Sequence, residues 1–146
     1  MIPEDLFRRI VEVLPILCVD VVIRDKRGKY LLVKRTHEPL KGEWWVIGGR
    51  VWKGEQLADA AARKIREELS LDIAPESLTC LGYYEDVFER NALEIPSGLH
   101  TLGVVFGAEI DGRETARLDG QSAGWTYADA LPERLLIKPF GRGGSC

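Results

Sequence analysis

Apolar residues recur along this chain with two different spacings, and the switches between them outline the elements. In MIPEDLFRRIVEVL, Leu6, Ile10, Val13 and Leu14 recur three and four residues apart, with acidic side chains early and basic ones after them; this predicts an amphipathic helix over residues 1–14. ILCVDVVIR, Ile16 to Arg24, is rich in β-branched residues and alternates loosely. Asp25-Lys26-Arg27-Gly28 then turns the chain into KYLLVKR, Lys29 to Arg35, so the two runs read as a hairpin. WWVI, Trp44 to Ile47, reads as a short strand leading into a glycine pair. LTCLGYYEDVF (Leu78 to Phe88) and HTLGVVFGAEI (His100 to Ile110) read as longer strands, separated by the polar loop ERNALEIPSGL. GWTY at Gly124 predicts a last short strand, and Ala128 to Leu136 a closing helix broken at Pro132. Periodicity alone therefore predicts an α+β or α/β fold. The 146 residues suit one domain over 1–146, since a chain of this size buries roughly 68–70% of its unfolded surface and needs no staples.

The helix between the glycine pair and Leu71 carries the densest chemistry. At about 100° per residue and with Leu57 as origin, Ala61, Ile65, Ala58, Leu69 and Ala62 occupy one arc of about 140°, the stripe to be buried. Glu68 falls inside that arc, and Glu67 flanks it on the polar side. A buried carboxylate without a partner is costly, so Glu68 is expected to hold a cation. The plainer alternative is a pair of four-residue ion pairs, Lys64 with Glu68 and Arg63 with Glu67, each worth about 0.2–0.5 kcal/mol on an exposed helix. The neighbourhood favours a ligand: Gly48-Gly49 lets backbone approach closely, while Arg35 and Arg50 offer guanidinium groups suited to phosphate oxygens. Glu55 is expected in the first turn of this helix, in a structural role.

With Gly49, Glu55, Arg63, Ile65, Glu67, Glu68 and Leu71 at fixed spacing, the segment 49–71 resembles the Nudix box, G-x5-E-x7-R-E-U-x-E-E-x-G-U. It departs at two positions. Lys64 stands where the box has a Glu that is commonly a metal ligand or base, and Ser70 stands for the late Gly. A cation at position 64 opposes a multi-metal cluster. The flanking sequence is more similar to one branch of that superfamily, the GDP-mannose mannosyl hydrolases, from Pro15 through Leu71 and more faintly from Gly98 to Leu131. Asp20, Lys34-Arg35-Thr36, Trp45, Gly48-Gly49-Arg50-Val51 and Gln121 before Trp125 stand where that family has comparable residues.

The resemblance implies an α/β fold, a Nudix-like α/β/α sandwich around a mixed β-sheet. It implies magnesium, with manganese as the alternative ion, ligated by the Gly48 carbonyl, Glu68 and Gln121, with Glu67 beside them. Arg35 and Arg50 would hold the diphosphate and take up charge as the bond breaks, and Asp20 would position nucleotide or sugar. The family's general-base His is replaced by Ser122, so His100, which opens a strand near the expected site, is the candidate for that proton transfer. The implied activity is hydrolysis of a nucleoside diphosphate sugar such as GDP-mannose or GDP-glucose to free sugar and nucleoside diphosphate. Two rivals stay open: a conventional Nudix pyrophosphohydrolase, and a catalytically weak nucleotide-binding module in which Lys64 satisfies Glu68.

Composition narrows the partners. A net charge of −3 and a pI near 5.5 argue against a general nucleic-acid surface, which needs clustered Lys and Arg. The longest apolar run, Ile16 to Ile23, is interrupted by Asp20 and too short to span a bilayer. The expectation is therefore a cytoplasmic protein with a small-molecule nucleotide sugar as its partner, no nucleic acid and no membrane. The apolar stripe of the first helix gives a weak case for a homodimer. Cys18 and Cys80 are expected as small core residues, and GRGGSC at residues 141–146 as a flexible tail.

Overall fold

The computed structural model describes residues 2–111 and 124–141. Helix α1 spans Glu4–Val13, followed by strands β1 (Ile16–Arg24), β2 (Tyr30–Lys34), β3 (Trp44–Trp45) and β4 (Ile47–Arg50). Then come helix α2 (Leu57–Leu69), a 3-10 turn at Pro75–Ser77, and strands β5 (Thr79–Phe88), β6 (Leu99–Glu109) and β7 (Trp125–Ala128). All seven strands join one sheet in the order β3-β2-β1-β6-β5, with β4 added to β1 and β7 to β2. β1 and β6 run parallel and every other pairing is antiparallel, so the sheet is mixed, as expected.

The two faces of β1 divide the molecule. Val19, Val21 and Ile23 point into a core that α2 covers with Ala60, Ala61, Ile65 and Leu69. Asp20 and Val22 alternate with them and point to the opposite face. There α1 packs Val11, Phe7 and Ile10 over Ile16 and Cys18, while Leu135 of the C-terminal segment meets Val22, Tyr84 and Val105. Helices thus lie on both faces, and fully burying each of these aliphatic side chains is worth about 1.5–3 kcal/mol.

Several expectations are corrected. No helix forms between Ala128 and Leu136; this stretch turns and continues to Lys138, which pairs with Tyr83 through reciprocal backbone hydrogen bonds of 2.8 Å. Trp44 to Ile47 is not one strand but two short ones, and β4 runs on through the glycines. Glu55 precedes α2 rather than lying in its first turn. Cys80 is disulfide-bonded, its partner lying outside the described residues, while Cys18 is free. Most of the expected tail and Gln121 and Ser122 also lie outside the described residues. Among the described helices none is long and apolar enough to cross a membrane.

Candidate active site

The antiparallel register of β4 on β1 sets Gly48 opposite Asp20, Gly49 opposite Val19 and Arg50 opposite Cys18. Paired residues share a face, so the adjacent glycines serve different sides of the sheet. Gly48 and Arg50 face the side that bears Asp20, and Gly49 faces α2.

On the Asp20 side, α1, the loop after β2 and the loop between β5 and β6 enclose a cavity of about 310 Å³ that Asp20, Arg35, Gly48 and Arg50 all line. The sequence-derived substrate residues are therefore brought together. The Asp20 carboxylate sits at the floor, in contact with the cavity but otherwise wrapped in protein. A β-carbon on Gly48 would lie 2.7 Å from its Oδ1, and one on Gly103 2.0 Å from its Oδ2. Only glycine at both positions leaves room for the carboxylate. Burial raises its pKa from 3.8 to about 7, against the opposing pull of Arg35. Gly103 was missed in the sequence; a lone glycine inside HTLGVVFGAEI was its signal.

Arg35 stands at the neck of the loop after β2. Its N–H donates to the Glu43 carbonyl at 2.9 Å, its carbonyl accepts from the Gly42 N–H at 2.8 Å, and its Nε donates to the Pro39 carbonyl at 2.7 Å. The rest of that guanidinium is left to the cavity. Arg50 stacks on Phe7 of α1, 4.1 Å from the ring centroid, which aims its planar fork at the same space. Trp45, Tyr84 and Phe88 supply apolar wall. Beside Asp20, burial pushes the Cys18 thiol up to about 12, so it stays neutral.

His100 is placed elsewhere. It alternates along β6 with Leu99 and Thr101, which line the cavity, so its side chain leaves the other face of the sheet, where Nε2 lies 2.9 Å from Glu85 Oε1. His37 lies on the surface against Thr36.

Across the sheet, the carboxylates of α2 form a separate group. Arg63 donates to Glu55 at 2.6 and 2.9 Å, to the Arg50 carbonyl at 3.0 Å and to Glu67 at 3.1 Å. It also lies over Trp52, 3.8 Å from the ring centroid. The hydrogen bond from Arg63 holds the Glu55 pKa below its usual value despite burial. Lys64 Nζ reaches Glu67 Oε2 at 2.9 Å and Glu68 Oε1 at 3.2 Å, and its hydrogen bond lowers the Glu67 pKa. Both four-residue ion pairs are thus formed. Glu68 is not buried as the helical wheel predicts: its side chain is 31% exposed. The protein covers that side of α2 at Ala60, which is fully buried, but no longer one and two turns later.

The NUDIX domain model matches residues 14–141. The chain belongs to the Nudix family. It is 40% identical over 110 residues to the low-salt glycan biosynthesis protein Agl8 of Haloferax volcanii, covering 75% of this chain and 69% of that protein. It is 34% identical over 134 residues to the ADP-ribose pyrophosphatase of Methanocaldococcus jannaschii, covering 88% and 74%. The MutT NUDIX hydrolase of Burkholderia pseudomallei superposes with a TM-score of 0.57 at 27% identity, over 66% of this chain and 68% of that one.

Nudix hydrolases generally use divalent metal ions such as magnesium. The described residues of this Nudix chain do not fit a multi-carboxylate metal cluster. None of them form a group of three or more His, Cys, Asp and Glu that could hold an ion, and the two carboxylates of the box helix already share the Lys64 ammonium. Gln121, the remaining expected ligand, lies outside the described residues. The late box glycine, here Ser70, still takes the left-handed conformation that ends the helix, with φ 54°.

Proposed function

We propose that this Nudix protein is a hydrolase acting on a nucleoside diphosphate sugar, holding the diphosphate between Arg35 and Arg50 and releasing sugar and nucleoside diphosphate. The observation that carries the reading is the convergence of both guanidinium groups and Asp20 on one cavity. Two bidentate cations suit a diphosphate, and they would take up the charge that grows on the leaving group as the bond breaks. At about 310 Å³ the cavity is at the small end of ligand sites, which run to about 1,000 Å³. It would therefore enclose the diphosphate and one end of the substrate, with the aromatic wall against a sugar or base. Asp20, with a pKa near 7, is suited to accept a hydrogen bond from a sugar hydroxyl or the proton of attacking water. That role does not require the distant His100.

The likeness to a glycan biosynthesis protein supports a sugar-bearing substrate. The likeness to an ADP-ribose pyrophosphatase supports the conventional alternative, attack at phosphorus on a substrate of the same diphosphate-sugar class. Product analysis separates them: GDP-mannose, GDP-glucose and ADP-ribose are each incubated in heavy-oxygen water, with magnesium or with chelator. Label on the sugar carbon with nucleoside diphosphate released is the expected result. Label on phosphate returns the protein to pyrophosphohydrolysis, and no turnover of any of the three overturns the proposal in favour of a binding module.

A further inference from the structure

We propose that Lys64 is a tethered cation that occupies the carboxylates of the box helix, so that this protein excludes a divalent ion from the place where the box pattern leads one to expect it. The inference does not depend on which nucleotide is cleaved. Its first support is geometric. Lys64 lies against Gly49: a β-carbon on that glycine would stand 3.0 Å from both Cδ and Cε of the lysine. Glycine thus makes the groove in which the lysine stem rests. The lysine side chain is only 17% exposed, and its ammonium bonds both Glu67 and Glu68. Holding a flexible side chain this way removes most of the entropy cost of keeping its charge in position.

The second support is charge. Glu67 and Glu68 carry two negative charges, and Lys64 and Arg63, which bonds Glu67 at 3.1 Å, carry two positive ones. The cluster is neutral, and a divalent ion would have to displace an ammonium from the same oxygens before binding. With Glu at position 64, three carboxylates at spacings of three and four residues would share one helix face, and with Arg63 the sum would be −2. With Met at 64 it would be −1, the stem over Gly49 being kept.

The test is manganese binding to the full chain, followed by the loss of the free-ion paramagnetic resonance signal, for the native protein and for Lys64→Met, Lys64→Glu, Glu68→Gln and Lys64→Glu/Glu68→Gln. The native protein is expected to bind only in the millimolar range, and Glu68→Gln to leave that unchanged. Affinity should rise about tenfold or more at each step from native to Lys64→Met to Lys64→Glu, and be lost again in the double variant. Micromolar binding by the native protein that disappears in Glu68→Gln overturns the proposal, as does an affinity that does not change across the series. Should the Lys64 variants fail to fold, the native protein decides alone: its melting temperature is expected to be the same in magnesium and in chelator, and a rise of about 5 °C or more in magnesium refutes the tethered cation.

Discussion

Replacing Asp20 with Asn removes the one carboxylate that the fold holds at the floor of its cavity, and the effect on stability can be worked out in sign and size. The carboxyl titrates at 3.8 when exposed and at about 7 in the folded protein. Between these values the folded state binds more protons than the unfolded state, so stability falls as pH rises through the window and the full cost is present above pH 7. A shift of about 3 pKa steps at ~1.4 kcal/mol each amounts to about 4 kcal/mol above pH 8. At pH 5 the same relation leaves about 1.7 kcal/mol, because the folded protein keeps its proton while the unfolded chain has largely lost it. Asn has the same shape and no charge to desolvate. Urea denaturation of both proteins at pH 5 and pH 8 should therefore show the variant gaining about 2.5 kcal/mol on the native protein across that interval, with unchanged m-values. An advantage equal at the two pH values to within about 0.5 kcal/mol, the usual scatter of such differences, would show that the folded protein does not hold Asp20 in its protonated form near neutrality, and the reasoning from burial would fail.

Arg35→Met should lower kcat/KM for the nucleotide sugar about 10- to 100-fold, the loss of a charge-assisted bond worth about 1.5–3 kcal/mol, with little change in melting temperature. Gly103→Ala puts a methyl group 2.0 Å from Asp20 Oδ2; it should destabilise by about 1–3 kcal/mol or more in chemical denaturation, and less when Asp20→Asn is also present. Arg63→Met strands Glu55, whose side chain is 13% exposed, and should cost about 3 kcal/mol in the same assay. Ser70→Gly relieves a left-handed residue at the end of α2, φ 54°, and should raise stability by about 1 kcal/mol, visible as a higher urea midpoint.

Local pattern determined the strands, the two helices and the box segment, because period two and period 3.6 are written directly in the apolar positions. β1, β2, β5, β6, β7, α1 and α2 all lie where alternation or a helical stripe predicts them. The predicted helix near Pro132 did not form. There Leu131, Leu135 and Ile137 gain more by covering the far face of the sheet than a short helix offers, and the chain ends as a pairing segment beside Tyr83. Asp20, Arg35, Arg50 and Gly48 could be named from sequence, since a glycine pair and two arginines around a lone strand aspartate point to a bound anion. What sequence could not decide was on which side of the sheet each of them would lie. The register of β4 on β1 sends Gly48 and Arg50 to the cavity and Gly49 to α2, and a slip of one residue would exchange them. Register likewise turns His100 away from Asp20. A helical wheel places Glu68 in the buried arc, yet how far a neighbouring segment covers that arc is a tertiary fact, and the cover is gone before Glu68 is reached. Which cation meets Glu68 follows from that opening and from the groove at Gly49, a contact between positions fifteen residues apart that only the folded sheet brings within reach of Lys64.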